Sequence, residues 1–229
     1  MIHEPSVAPA GDLKTRRREE REEAILGAAL DLIVRGGVDG LTVQALARAM
    51  RWSVGALYRY YPSKDAVLSE LQVRVLRGIG RGLSAQVDAA LGGADDSPDA
   101  ALRALLLATE SFRAVAEQEP AQFALICSVL ATPQELLSGV EAAAVGVELR
   151  ALLGSVGVLV QRATDRGALG PGPTLLLWSS MQGLLQMKKL ARFDASLRDL
   201  PGLVHLLVDA LLLGFGADPA RLAHARSSL

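Results

Sequence analysis

Thr42-Val-Gln-Ala-Leu-Ala-Arg-Ala-Met-Arg-Trp-Ser-Val-Gly-Ala-Leu-Tyr-Arg-Tyr-Tyr-Pro-Ser-Lys-Asp65 is the stretch whose reading decides the fold. Thr42 is a good N-cap, and Val43, Leu46, Ala47 and Met50 then repeat at helical spacing. Ser53 caps a second short helix, expected to run through Tyr61. Pro62 breaks it, and Ser63 caps a further helix with Asp65 in its first turn. Leu57 and Tyr61 are four apart and can face a core with Trp52. Val54, Tyr58 and Arg59 then point the other way. Gly55 and Ala56 are small, so that helix can approach a groove floor closely. From Thr42 to Lys64 the chain carries Arg48, Arg51, Arg59 and Lys64 and no acid. Two short helices joined by a tight turn, with a local basic patch, read as a helix-turn-helix on double-stranded DNA. The first helix braces the backbone and the second enters the major groove. Lys64 and the free N–H groups at the start of the next helix can hold a phosphate.

Upstream, a first helix should start near Arg18, with Ile25, Ala28, Ala29, Leu32 and Ile33 on one face and Gly36-Gly37 as its exit. Residues 1–17 read as a disordered basic arm. Arg16 to Arg18 either reach a minor groove or belong to a solvated tail. Downstream, the helix from Ser63 should run to Leu83 or Val87, and Leu91 to Pro98 reads as a linker. Helical patterns follow over about 99–118, 120–131, 134–166, 173–192 and 200–215, punctuated by prolines and glycines. No strand alternation and no repeat interrupts them. The expected fold is all-α: a DNA-binding module over 18–64, a connecting helix over 65–90, and a larger helical bundle over 91–229.

Residues 42–68 resemble the signature of the tetracycline-repressor (TetR/AcrR) family, roughly T-x-x-x-[IL]-A-x-x-A-G-V-S-x-G-x-[LI]-Y-x-[YH]-F-x-S-K-[ED]-x-L. Thr42, Leu46, Ala47, Ser53, Gly55, Leu57, Tyr58, Tyr60, Ser63, Lys64, Asp65 and Leu68 match it. With helix 1 included, the likeness covers residues 20 to 70. It implies a sequence-specific DNA-binding transcriptional regulator, typically a ligand-responsive repressor acting as a homodimer on a palindromic operator. The expected DNA-facing set is Thr42, Arg51, Ser53, Val54, Gly55, Ala56, Tyr58, Arg59, Tyr60 and Lys64. The chain departs from the family at Met50-Arg51-Trp52, where Ala-Gly-Val is usual. The turn glycine supplies a left-handed backbone, so Arg51 there should cost about 1 kcal/mol unless the turn is reshaped. Arg51 can supply a replacement phosphate contact. Val54 stands where a polar residue is frequent, which removes one expected hydrogen bond to DNA and leaves the operator sequence open.

The 229 residues are half hydrophobic, enough to bury a sizeable core, and the formal net charge is −1. The charge is uneven. Met1 to Arg81 holds 13 Lys/Arg against 10 Asp/Glu, and the remainder 11 against 15. Cys127 is the sole cysteine, so no intrachain disulfide forms, and a reducing, cytoplasmic setting is expected. The N-terminus lacks the apolar run of a signal peptide. The longer apolar stretches carry charges, so no membrane partner is expected. Enzyme signatures are missing: His3, His205 and His224 are scattered, no paired cysteines or H-E-x-x-H occur, and neither metal nor cofactor is expected. Gly78-Ile-Gly-Arg-Gly82 looks like a phosphate loop but sits in a helical pattern.

For the C-terminal half, the resemblance implies dimerisation and an effector. Segments 173–192 and 200–215 are apolar over more than one helical face. Leu175, Leu176, Leu177, Trp178, Leu184 and Leu185 precede Leu206, Leu207, Leu211 and Leu212. A second buried face points to a homodimer through these segments. The run from Trp178 to Gly183 looks like the Trp-x-x-x-His-Gly run of some family members, with Gln182 in place of His. Candidate contacts for an apolar small-molecule effector are Phe112, Phe123, Cys127, Glu148, Gln161, Trp178, Met181 and Gln182; taken singly, each reads better as a core or solvated side chain. A helical interaction protein that has lost DNA binding is the alternative class, kept open by Arg51 and Val54.

Overall fold

The computed structural model describes residues 10–91, 95–131, 139–172, 174–190, 193 and 199–229. Every regular element among them is helical. The chain divides into two compact units, Met1–Leu71 and Gln72–Leu229.

The first unit contains α1 (Ala10–Gly36), α2 (Val43–Met50), α3 (Val54–Tyr58) and the opening turns of α4 (Lys64–Leu91). α1 starts at Ala10, upstream of Arg18, so residues 10–17, expected within a disordered arm, are helical. Residues 1–9 lie outside the described residues. Of the expected stripe Ile25, Ala29 and Ile33 are buried and Ala28 and Leu32 half-buried, while Leu26, outside it, is buried too. Gly37 closes α1 at φ 68°, donating its N–H to the Ile33 carbonyl at 2.9 Å. That left-handed position is where glycine carries no Cβ penalty. Leu41, Leu46, Ala47, Leu57, Val67, Leu68 and Leu71 complete the small core.

The second unit holds the rest of α4, then α5 (Pro98–Gln118), α6 (Pro120–Ala131), α7 (Gly139–Asp165), α8 (Thr174–Gln186), α9 (Leu200–Gly214) and α10 (Pro219–Ser227). α4 continues past the expected end at Leu83 or Val87, and Gly78 to Gly82 lie inside it, as the helical pattern required. α5 is the hub. Ala100, Ala101, Leu102, Ala104, Leu105 and Leu106 are all buried, and α6, α7, α9 and α10 pack on it. Over 100–106 only Arg103 is polar, so this stretch needs neighbours on most of its sides. The caps follow directly from sequence. Ser97, Asp199 and Asp218 accept from Ala100, Gly202 and Arg221 N–H groups at the starts of α5, α9 and α10, each with a proline in the first turn.

Three expectations are corrected. α7 falls in the pattern expected over 134–166, of which 134–138 lie outside the described residues; it is long and apolar enough to cross a membrane, against the expectation that charges interrupt every longer apolar stretch. Its charges are Glu141, Glu148, Arg150, Arg162 and Asp165, and the run between Arg150 and Arg162 carries none. Val145, Leu152, Leu159, Val160 and Ala163 are buried, and the helix packs on α5 and α8. The pattern over 173–192 splits into α8 and a short 3-10 turn over Met187–Leu190. α10 was not anticipated. It is short and polar, yet Leu222 and Ala225 are buried, and Arg226 pairs with Asp209 of α9 at 2.5 Å. The loop into α8 is held close: a Cβ at Gly172 would lie 2.9 Å from the Phe215 ring.

Gln72, on α4, is almost completely buried. Its Nε2 donates weakly to the Leu125 carbonyl at 3.4 Å and the Ser128 hydroxyl at 3.3 Å, while its Oε1 has no partner. An orphaned buried carbonyl is expensive, and a shape-matched apolar replacement removes the cost. Gln72→Met is therefore expected to raise the unfolding free energy of the bundle by about 1 kcal/mol in urea titrations.

Candidate nucleic-acid interface

Local chemistry sets the geometry of the α2–α3 hairpin. The Thr42 hydroxyl oxygen accepts from the Ala45 N–H at 3.0 Å, and that of Ser53 accepts from Ala56 at 3.2 Å. Each hydroxyl keeps its own proton, so both caps can still donate to a phosphate. Between the helices, Arg51 adopts φ 56°, ψ 38°, the left-handed conformation expected from the missing glycine. The turn is not reshaped. Arg51 donates to the Arg48 carbonyl at 3.1 Å and Trp52 to the Ala47 carbonyl at 2.9 Å, which closes α2 with the two bonds of a Schellman turn.

α3 is shorter than expected, ending at Tyr58 rather than Tyr61. A residue before proline is pushed out of the helical region, so Pro62 ends the run early and Arg59 and Tyr60 form a turn. Leu57 is the buried face of α3, while Trp52 and Tyr61 are half-buried. On the other side Ser53, Gly55, Tyr58 and Arg59 are exposed, with Arg48 and Arg51 exposed beside them and Val54, Ala56 and Lys64 half-buried. Tyr58 is 49% exposed, a large apolar ring left in water. Among the described residues Arg48, Arg51, Arg59 and Lys64 form no ion pair. Tyr60 differs from the rest of the expected DNA-facing set. Its ring packs against Trp52 with centroids 5.5 Å apart, and its hydroxyl accepts from Arg21 Nη1 at 2.9 Å. The Arg18 guanidinium lies 5.9 Å from the same ring. Tyr60 therefore fastens the turn after α3 to α1. Arg18, read from sequence as part of a minor-groove arm or a solvated tail, lies instead against this ring, and Arg21 was not singled out, because a charge run on α1 reads equally well as a solvated face.

Residues 25–71 match the pattern of bacterial regulatory proteins of the tetR family. Over these residues, a minor part of the chain, the protein is similar to that family. The HTH-type transcriptional repressor KstR of Rhodococcus jostii is 42% identical over 57 residues, which is 25% of this chain and 27% of that protein. The match thus spans about a quarter of the length of that relative. Beyond the N-terminal domain the likeness is one of fold. The fatty acid degradation regulator FadR from Bacillus halodurans superposes with a TM-score of 0.65 at 18% identity, over 86% of this chain and 97% of that one. SmeT, the repressor of the Stenotrophomonas maltophilia multidrug efflux pump SmeDEF, gives 0.62 at 19% identity, over 87% and 92%.

In the bundle, the effector candidates divide. Phe112 of α5 and Trp178 and Met181 of α8 line one apolar cleft together with Ile79, Leu83 and Leu152 from α4 and α7. Phe123 sits behind Phe112, ring centroids 5.9 Å apart, and does not line the cleft. Gln182 is buried one turn beyond Trp178. Cys127 is half-buried on α6. Glu148 pairs with Arg77 at 2.7 Å in a separate polar groove that Arg81 and Ser155 also line. Gln161 is exposed and donates to Asp165 at 2.8 Å. Sequence reasoning selected the unusual residues and missed the aliphatic ones, which carry no signal until helices bring them together.

Two substitutions check the local geometry. Arg51→Gly is expected to stabilise the N-terminal domain by about 1 kcal/mol, the left-handed penalty that it removes. Leu57→Ala is expected to destabilise it by roughly 2–5 kcal/mol. Thermal and chemical denaturation of both variants measure these shifts.

Proposed function

We propose that this protein is a transcriptional repressor that binds a palindromic operator as a homodimer and lets go when an apolar small molecule occupies its bundle. The observation carrying the DNA reading is the acid-free face of the α2–α3 hairpin. There Arg48, Arg51 and Arg59 are exposed and unpaired beside an exposed Tyr58. Charges already satisfied within the protein would have little to offer phosphate; these are available to displace condensed counterions. Tyr58, Gly55 and the half-buried Val54 and Ala56 face base edges, while Thr42, Ser53, Arg51, Arg59 and Lys64 hold phosphates. A cytoplasmic location goes with this reading.

The dimer reading rests on apolar surface. Leu175 and Leu176 of α8 and Leu206 and Leu213 of α9 are exposed, between 42% and 67%, and the two helices pack side by side. Leu184 and Leu207 are half-buried, so the outward face lies a fraction of a turn from where sequence suggested. A second copy of the same pair would bury these leucines in a four-helix interface.

The effector reading rests on the cleft and on α4. The free volume of the cleft is about 40 Å³, room for water but far below the few hundred Å³ typical of ligand pockets. A ligand must push its walls apart. Ile79 and Leu83 in that wall belong to α4, the helix that begins at Lys64. α4 carries Lys64 at its other end, so a change within α4 is the proposed link between the cleft and DNA binding. The ligand acts only through its preference for the opened form, about 1–3 kcal/mol in typical cases.

Titrating the full-length protein with DNA from upstream of its own coding sequence tests the reading. Tyr58→Ala and Lys64→Ala should each weaken binding about tenfold or more with an unchanged melting temperature. Arg59→Ala should lower the slope of log affinity against log salt by about 1. Salt-independent affinity, or variants that bind like the parent, would show that another surface meets DNA. Leu206→Asp should sediment as a monomer, because an unpaired charge in a desolvated patch is costly. Its DNA binding should fall with loss of the linked second half-site. A dimeric Leu206→Asp would move the interface elsewhere.

A further inference from the structure

We propose that the bundle cleft is built for a neutral, apolar molecule that carries a hydrogen-bond acceptor, and that the Trp178 indole N–H holds that acceptor. The inference rests on the effector reading above and specifies its ligand. Trp178 lines the cleft and is only 9% exposed, and its Nε1 is fully buried without a hydrogen-bond partner. Buried indole N–H groups normally find an acceptor, and one without a partner forfeits the bond it made to water. The ring itself is fixed in place: Phe112 packs beside it at 6.4 Å between centroids, with Phe123 behind.

The other polar groups of the lining cannot serve as donors. Thr109 Oγ1 donates to the Leu106 carbonyl at 2.7 Å, and Ser111 Oγ to the Leu107 carbonyl at 2.8 Å. Trp178 is therefore the free donor in an otherwise apolar wall. Among the described residues no charged side chain lines the cleft, so a carboxylate or ammonium entering it would lose hydration with no compensating partner. The chemistry that fits is an apolar body with one ketone, ester or amide carbonyl. A trapped water could satisfy the N–H instead, and the experiment separates the two.

The chain has two tryptophans, so a ¹⁵N–¹H spectrum of the full-length protein shows two indole signals, and Trp52→Phe assigns them. Acetophenone, ethylbenzene and benzoate serve as probes of similar shape that differ in the acceptor and the charge. Acetophenone is expected to shift the Trp178 indole proton downfield and to bind about tenfold more tightly than ethylbenzene, the worth of one buried hydrogen bond. Benzoate should bind more weakly than acetophenone. Trp178→Phe should erase the preference for acetophenone while leaving ethylbenzene binding in place. If ethylbenzene and acetophenone bind equally and the indole proton is unmoved, the cleft remains an effector site but the proposed hydrogen bond is wrong. Tighter binding of benzoate overturns the neutral ligand. If no probe reaches the cleft in a protein that still binds its promoter DNA, the inference and the effector reading fall together, and the DNA reading stands.

Discussion

The backbone N–H groups of Arg51 and Trp52, donating to the carbonyls of Arg48 and Ala47, fix the angle at which α3 leaves α2. Arg51 must enter the left-handed region for both bonds to form, and it does so without the glycine that makes that conformation free. The rest of the reading head follows from that closure. Once the turn is made, Ser53 is placed to cap α3, Leu57 enters the core, and Tyr58 and Arg59 are left outside. A residue that strains the fold at this point also adds a cation to the face opposite the core. The strain and the charge come from one side chain, which gives a physical reason for an arginine where glycine would fold more easily.

Trp52 and Tyr60 complete the arrangement. A larger side chain after the turn requires something to pack against, and Tyr60 supplies it while reaching Arg21 on α1. The aromatic cluster at the end of α3 is thus split in function: Tyr60 faces inward as a brace, and Tyr58 stays exposed. Adjacent aromatics look alike in sequence. Their roles separate because α3 ends at Tyr58 and the chain turns before Pro62, which rotates Tyr60 away from the helical phase.

Much of this was legible because caps announce themselves. Thr42, Ser53 and Ser63 each stand one residue before a helix, and each accepts from the N–H three residues on. The all-α class and the stripe from Ile25 to Ile33 were equally plain, since periodicity is a local property. What depended on neighbours was not legible. Helix phase decides that Leu206 rather than Leu207 is exposed, and only the packing of α9 against α5 and α8 sets that phase. The cleft is lined by aliphatic residues from four helices, none distinctive alone. α10 carried its signal in Asp218-Pro219, a cap followed by a first-turn proline, but its few apolar residues concealed it.

The proposed recognition of DNA by two copies of the α2–α3 hairpin, related by two-fold symmetry, is open to a direct test. Selection of bound duplexes from a random-sequence pool by the purified full-length protein tests it most directly. The account predicts enrichment of an inverted repeat whose two halves are read alike, since a two-fold dimer presents α3 twice. Enrichment of a single asymmetric half-site, or no enrichment over the starting pool, would contradict it.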